Sequence, residues 1–174
     1  MMRSMTMAGS VMLLITLVLA RAGFADADVL WSWGRNDRGQ LGDGSTVGRS
    51  LPAYVRGPGG AATFPGVSAA AAGPEGHALA LRSNGTVWAW GSNDHGKLGD
   101  GTTTDRLAPV QVVGPAGLGY LLGIVGVAAG AQHSIALRND GTVLAWGANA
   151  SGQLGDGTNT DRGTPASVRG SGGT

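Results

Sequence analysis

Two stretches of this chain carry the same order of apolar and polar positions. From Val67 a run of small residues (VSAAAA) leads through a short break into His77–Arg82 (HALALR), where Ala78, Ala80 and Arg82 lie opposite His77, Leu79 and Leu81. A period of two marks a β-strand, here expected to bury one face. Ser83-Asn84-Gly85 then separates it from Thr86–Trp90 (TVWAW), and Asn-Gly between apolar runs is a strong hairpin signal because both residues accept positive φ. From Ile124 the order recurs as IVGVAA, His133–Arg138 (HSIALR), Asn139-Asp140-Gly141 and Thr142–Trp146. Each set predicts three successive antiparallel strands, the first made of residues small enough for neighbouring backbones to approach.

The segment after each tryptophan strand is more regular still. Trp33, Trp90 and Trp146 stand 57 and 56 residues apart, and each is succeeded by glycine and then by Gly-x-Leu-Gly-Asp-Gly, beginning at Gly39, Gly96 and Gly152. A period this long exceeds the common helical repeats and suits a four-stranded blade. In each loop the leucine (Leu41, Leu98, Leu154) is the natural inward anchor and the second glycine (Gly42, Gly99, Gly155) supplies a tight turn. The aspartates Asp43, Asp100 and Asp156 are placed to cap nearby amides, and Asn36, Asn93 and Asn149, shared by all copies, to fix the loop. Pro52, Pro109 and Pro165, each three residues before a valine, are expected to open an outer edge strand, where a missing N–H does no harm. A tryptophan buries about 150–250 Å², which at about 25 cal/mol per Å² is up to roughly 4–6 kcal/mol before entropy is subtracted. The tryptophans are therefore the main candidate core residues.

Composition narrows the class. Glycine at 33 of 174 residues and charged residues at only 13% fit short strands broken by turns. A formal charge of +1, with basic residues scattered along the chain, gives no reason to expect nucleic acid or an anionic membrane surface as partner. No cysteine is present, which removes disulfides, thiolate metal sites and thiol chemistry. The first residues form a separate unit: Arg3 precedes an apolar run from Val11 to Ala20, with small residues after it up to Ala27. This predicts a signal peptide over 1–25, cleaved after Ala25, with Ala22 as the alternative, and a secreted or periplasmic repeat domain over 26–174. The run is short of the roughly 20 residues needed to span a bilayer.

The segment HALALRSNGTVWAWGSNDHGKLGDGTTTDRLAPVQVV resembles the regulator of chromosome condensation repeat, and the resemblance extends over residues 29–170. It implies an all-β fold of propeller blades, each of four antiparallel strands, with repeats at about 29–66, 67–123 and 124–170. Characterised members of that family form seven-bladed rings. Some are guanine-nucleotide exchange factors for the GTPase Ran that also bind chromatin, and others are secreted bacterial proteins, including a β-lactamase inhibitor. The first copy here begins at Val29, without counterparts of the two strands before Thr86, so the chain holds two to three blades. Strands supplied by another copy, completing a ring as a homo-oligomer, and a piece of a longer protein are both open readings.

Residues that could carry chemistry are few. His77 and His133 occupy one repeat position and are expected to be structural, bonded to a neighbouring loop. The aspartates lack the spacing of a calcium loop, and Asp105-Arg106 and Asp161-Arg162 suggest ion pairs between blades or within loops. Ser134 comes directly after His133, so the two point to opposite faces of a strand, and no copy contains a phosphate-binding G-x-x-x-x-G-K-[ST] loop. The expectation is no enzyme activity, no cofactor and no metal. Partner contacts are sought where the copies differ: Arg35, Asp37 and Arg38 in the first loop, Asp94 and His95 in the second, and the aromatics Phe64 and Tyr120 in the longer linkers 57–66 and 114–123. The function expected is protein or envelope binding by a secreted module, with nucleotide exchange or β-lactamase inhibition as the alternatives drawn from the resemblance.

Overall fold

The computed structural model describes residues 29–170; the signal peptide expected over 1–25 lies outside the described residues. The ten strands of the described chain are antiparallel and form three sheets. In the first, β1 (Trp31–Gly34) pairs with β2 (Arg49–Tyr54). The second runs in simple order through β3 (Val67–Gly73), β4 (His77–Arg82), β5 (Val87–Gly91) and β6 (Arg106–Gln111). The third repeats it with β7 (Ile124–Ala129), β8 (His133–Arg138), β9 (Val143–Gly147) and β10 (Arg162–Ser167). These are blades of a β-propeller, two with four strands and one with the outer pair alone.

The hairpins fall where the Asn-Gly and Asp-Gly pairs place them, with Leu81 opposite Val87 and Leu137 opposite Val143. Two expectations are corrected. His77–Leu81 is buried on both faces, not one, because the second blade is sandwiched: Ala78 and Ala80 face the core shared with the first blade, and Leu79 and Leu81 the core shared with the third. The equivalent β8, with no described blade beyond it, does alternate: Ser134 and Ala136 are buried and their neighbours are partly or fully exposed. The second correction concerns the prolines. Pro52, Pro109 and Pro165 lie inside the edge strands, not at their starts, and the ladder shifts register across that part of each strand. A bulge tolerates a residue with no N–H to give.

One core forms at each blade junction. Between the first and second blades it comprises Leu30, Val55, Phe64, Val67, Ala78, Ala80 and Trp90. Between the second and third it includes Leu79, Leu81, Val87, Leu98, Leu121, Leu144 and Trp146. Phe64 is fully buried, edge-on to Trp88 and Trp90 at centroid distances of 5.7 and 6.3 Å. It is a core residue and is removed from the candidate contact residues.

Candidate functional site

The loop after each tryptophan strand is organised by its asparagine. The Asn93 side chain is buried; its carbonyl accepts from the Leu98 amide at 2.9 Å, and its amide donates to Asp100, to both Thr102 oxygens and to the Thr104 carbonyl at 3.0–3.3 Å. Asn36 and Asn149 repeat this set on Leu41, Asp43, Ser45 and Val47 and on Leu154, Asp156, Thr158 and Thr160. Asp100 in turn takes the Thr102 amide and hydroxyl and an ion pair from Arg106 at 2.7 Å. Burial opposes its charge, but the Thr102 hydroxyl and Arg106 together hold the carboxyl below its ordinary range. The aspartates therefore cap turns. Among the described residues no three His, Asp or Glu side chains converge as a metal site.

The Gly-x-Leu-Gly segment is also the joint between blades. The Trp90 indole N–H donates to the Gln40 carbonyl of the preceding blade at 2.9 Å, and that of Trp146 to the Lys97 carbonyl at 3.0 Å. Close approach makes the glycine necessary: a Cβ on Gly42 would lie 2.8 Å from the Trp90 indole nitrogen, and one on Gly99 2.6 Å from that of Trp146. Both have positive φ as well. Further out, the Gly44 amide donates to the Leu107 carbonyl and the Gly101 amide to that of Gly163.

The charged residues that differ between copies tie these joints. Arg38 reaches across to Asp94 at 2.6 Å and Asp105 at 3.0 Å, and His95 to Asp161 at 2.7 Å. Arg35 pairs with Asp37 in its own loop. Arg38, Asp94 and His95 are thus partly exposed but engaged, and not free side chains. The Asp105-Arg106 dipeptide divides its work: Asp105 joins the blades and Arg106 holds its own loop. A cleft of about 170 Å³ lies between Arg35, Arg38, Gln40 and the Pro74–Gly76 turn, but its ionic groups are satisfied, with Glu75 accepting from Gln132 at 2.8 Å.

The two histidines differ by their surroundings. His77 is buried, its Nε2 3.1 Å from the Ser134 hydroxyl, which donates to the Lys97 carbonyl at 2.7 Å. With the serine proton committed, Nε2 must be the donor, so this histidine cannot act as a base toward that serine. It spans the joint. Burial, reinforced by Lys97 and His133, lowers the His77 pKa from 6.5 to about 3. The unfolded chain thus binds a proton below pH 6.5 that the folded chain refuses until about pH 3. This group therefore lowers stability as pH drops through that interval, by about 1 kcal/mol per pH unit, and leaves it unchanged above it. Urea unfolding between about pH 6.5 and 4 should show that slope, reduced in His77→Gln; equal slopes would contradict the assignment.

Lys97 is the exception among the x positions of Gly-x-Leu-Gly. Gln40 accepts from the Arg38 amide and donates to Asp37, and Gln153 accepts from the Ser151 amide. The Lys97 ammonium is buried without a hydrogen bond, 3.9 Å from Asp94, and burial lowers its pKa. Lys97→Gln should gain about 1 kcal/mol by restoring the other copies' bonds, read as a higher urea midpoint at unchanged slope.

The linker 114–123 follows Val113, whose amide donates to the Gly99 carbonyl at 2.9 Å, and folds back with Val113 bridged to Tyr120. Leu121 is buried, as Phe64 is in the first linker, while Leu118, Tyr120 and Leu122 are 77%, 59% and 56% exposed. In the first linker these three positions are Ala61, Thr63 and Pro65. Tyr120 stands out in the sequence as an isolated aromatic. Leu118 and Leu122 do not, although their alternation with Tyr120 is a signal that sequence reasoning missed.

The Regulator of chromosome condensation (RCC1) repeat pattern matches residues 28–81, 84–137 and 140–174, and a second pattern for the repeat matches 67–97 and 124–153. The chain is 42% identical over 127 residues to Protein RCC2 homolog of Danio rerio, covering 72% of this chain and 24% of that protein. It is 35% identical over 144 residues to the Ultraviolet-B receptor UVR8 of Arabidopsis thaliana, covering 83% and 31%. E3 ubiquitin-protein ligase HERC2 of Homo sapiens is 36% identical over 133 residues, 76% of this chain and 3% of that one. Among solved structures, human WBSCR16 superposes with a TM-score of 0.65 at 26% identity, covering 84% of this chain and 36% of that chain. Prp20p of Saccharomyces cerevisiae, described with its binding to Gsp1p and histones, gives 0.63 at 23%, covering 83% and 35%. The chain spans about a third or less of each of these proteins. Its repeated Trp-Gly strand, asparagine-held loop and glycine joint, read together with the matched repeat pattern, place it in the regulator of chromosome condensation repeat family.

Proposed function

We propose that this chain is a non-catalytic, protein-binding propeller module whose contact surface is the linker 114–123. The observation that carries the reading is the exposure of Leu118, Tyr120 and Leu122 on one short loop, at positions where the first copy has Ala61, Thr63 and Pro65. An aromatic flanked by aliphatic side chains, presented on a loop anchored by buried Leu121, has the composition of an interface centre. The charged residues of the asparagine loops are engaged with one another, which favours the apolar linker over them. Binding of protein partners within the family, described for Prp20p with Gsp1p and histones, supports the class of function and does not choose the partner.

The apolar leader supports export, so the partner is sought outside the cytoplasm. N-terminal sequencing of the exported protein should begin at Asp26; a start at Met1 would contradict export by cleavage. For the binding itself, a photo-crosslinking residue at Tyr120 should trap a discrete protein in the producing cell, and Leu118→Ser should abolish the product. The same residue placed at Val47, 67% exposed on the first blade, should not trap it. Identical products at both positions would refute the loop as the contact surface. Stimulated GDP release from a small GTPase, or loss of β-lactamase hydrolysis on titration, would favour the rival activities.

A further inference from the structure

The two joints inside the chain define a plug and a socket. The plug is the second tryptophan of a Trp-x-Trp-Gly strand, or its Leu-x-Trp-Gly counterpart, together with the carbonyl of the second residue of the outer strand. The socket is the Gly-x-Leu-Gly-Asp-Gly segment of the preceding blade, whose x carbonyl takes the indole and whose last glycine amide takes the outer-strand carbonyl. The third blade presents this socket again as Gly152–Gly157. Its six residues are identical to Gly39–Gly44, which hold Trp90. Among the described residues nothing occupies it: a Cβ on Gly152 would meet only the Asn159 side chain at 4.0 Å, whereas one on Gly39 would lie 2.8 Å from the Leu107 backbone.

The first blade presents the plug. Trp33 is half-buried, its indole N–H has no partner among the described residues, and Ser50 stands where Leu107 and Gly163 offer their carbonyls to the preceding blade. We infer that this surface binds a second copy of the chain head to tail, with Trp33 of one copy seated on Gly155 and bonded to the Gln153 carbonyl of another. The contact continues, between chains, the joint already made twice within one. It is heterologous, since plug and socket are different surfaces. It is also weaker than the internal joints. The ionic tie is missing, because Ser151 replaces Arg38 and His95 while Gly48 replaces Asp105 and Asp161. In addition, among the described residues the first blade offers only β1 and β2 to that contact. No like charges oppose it at those positions.

The tie can be restored. Ser151→Arg and Gly48→Asp together rebuild the Arg38–Asp105 arrangement between copies. Gly48 has no positive φ, but a Cβ there would lie 3.1 Å from the Gly34 carbonyl oxygen, so the aspartate requires that carbonyl to give by a few tenths of an ångström. Sedimentation equilibrium of the full chain should show mass rising with concentration. Association should be lost in Trp33→Ala, and should be about two- to five-fold tighter in the double variant than in either single one. A monomer at every concentration, or association that Trp33→Ala leaves unchanged, overturns the inference. If Trp33→Ala proves unfolded, the double variant decides: no tightening beyond the single variants overturns it equally.

Discussion

Trp90→Ala should lower the free energy of unfolding by about 3–5 kcal/mol, the usual range for emptying a buried tryptophan site. For a domain whose total stability is about 5–15 kcal/mol this removes much of the margin. Three losses combine. The ring, 1% exposed, fills the core made by Leu30, Val55, Phe64, Val67 and Ala78. Its edge contact with Phe64 disappears. The buried Gln40 carbonyl loses its donor. Trp90→Phe separates these effects, because it keeps most of the apolar area and removes only the indole N–H; about 1–3 kcal/mol is expected for the orphaned carbonyl. Urea unfolding of both variants measures it. A cost near zero for Trp90→Ala would mean that the first joint contributes nothing to the cooperative unit.

Asn93→Asp should be nearly as damaging despite changing one atom of the side chain. The carboxylate could still accept from the Leu98 amide, but it would turn an acceptor toward Asp100 and the Thr102 and Thr104 carbonyls, all of which now receive a proton from the asparagine amide. A buried charge without a partner, beside a second carboxylate, typically costs about 3–5 kcal/mol. Asn93→Ala, which loses the bonds without adding the repulsion, should cost about 2–3 kcal/mol. The ordering of the two in urea unfolding tests whether the asparagine serves as a donor hub or only as a spacer. An aspartate variant milder than the alanine one would show the latter.

Much of the fold is legible in the sequence because it is local or repeated. The hairpins follow from Asn-Gly and Asp-Gly, the blade period from the tryptophan spacing, and the loop-fixing role of the asparagines from their presence in all copies. Which blade each side chain faces is not legible. Arg38 differs from its counterparts His95 and Ser151, which suggests freedom, yet Arg38 and His95 make equivalent ties to the next blade. Ser134 has no use for its sequence neighbour His133 and meets His77 of the adjoining sheet instead. Phe64 could have been placed correctly: it aligns with Leu121, apolar in both linkers and buried in both, whereas Tyr120 aligns with Thr63. A position apolar in every copy belongs to the core, and one apolar in a single copy is free to be a contact.

Exchanging the loop tests that distinction most directly. Leu118→Ala, Tyr120→Thr and Leu122→Pro together give the second linker the exposed residues of the first while leaving buried Leu121 in place. The measurement is the affinity of this chain for the protein trapped through residue 120, taken alongside its urea midpoint. The predicted result is an unfolding midpoint close to that of the parent chain and loss of binding. Undiminished affinity in the folded triple variant would contradict the linker as the contact surface.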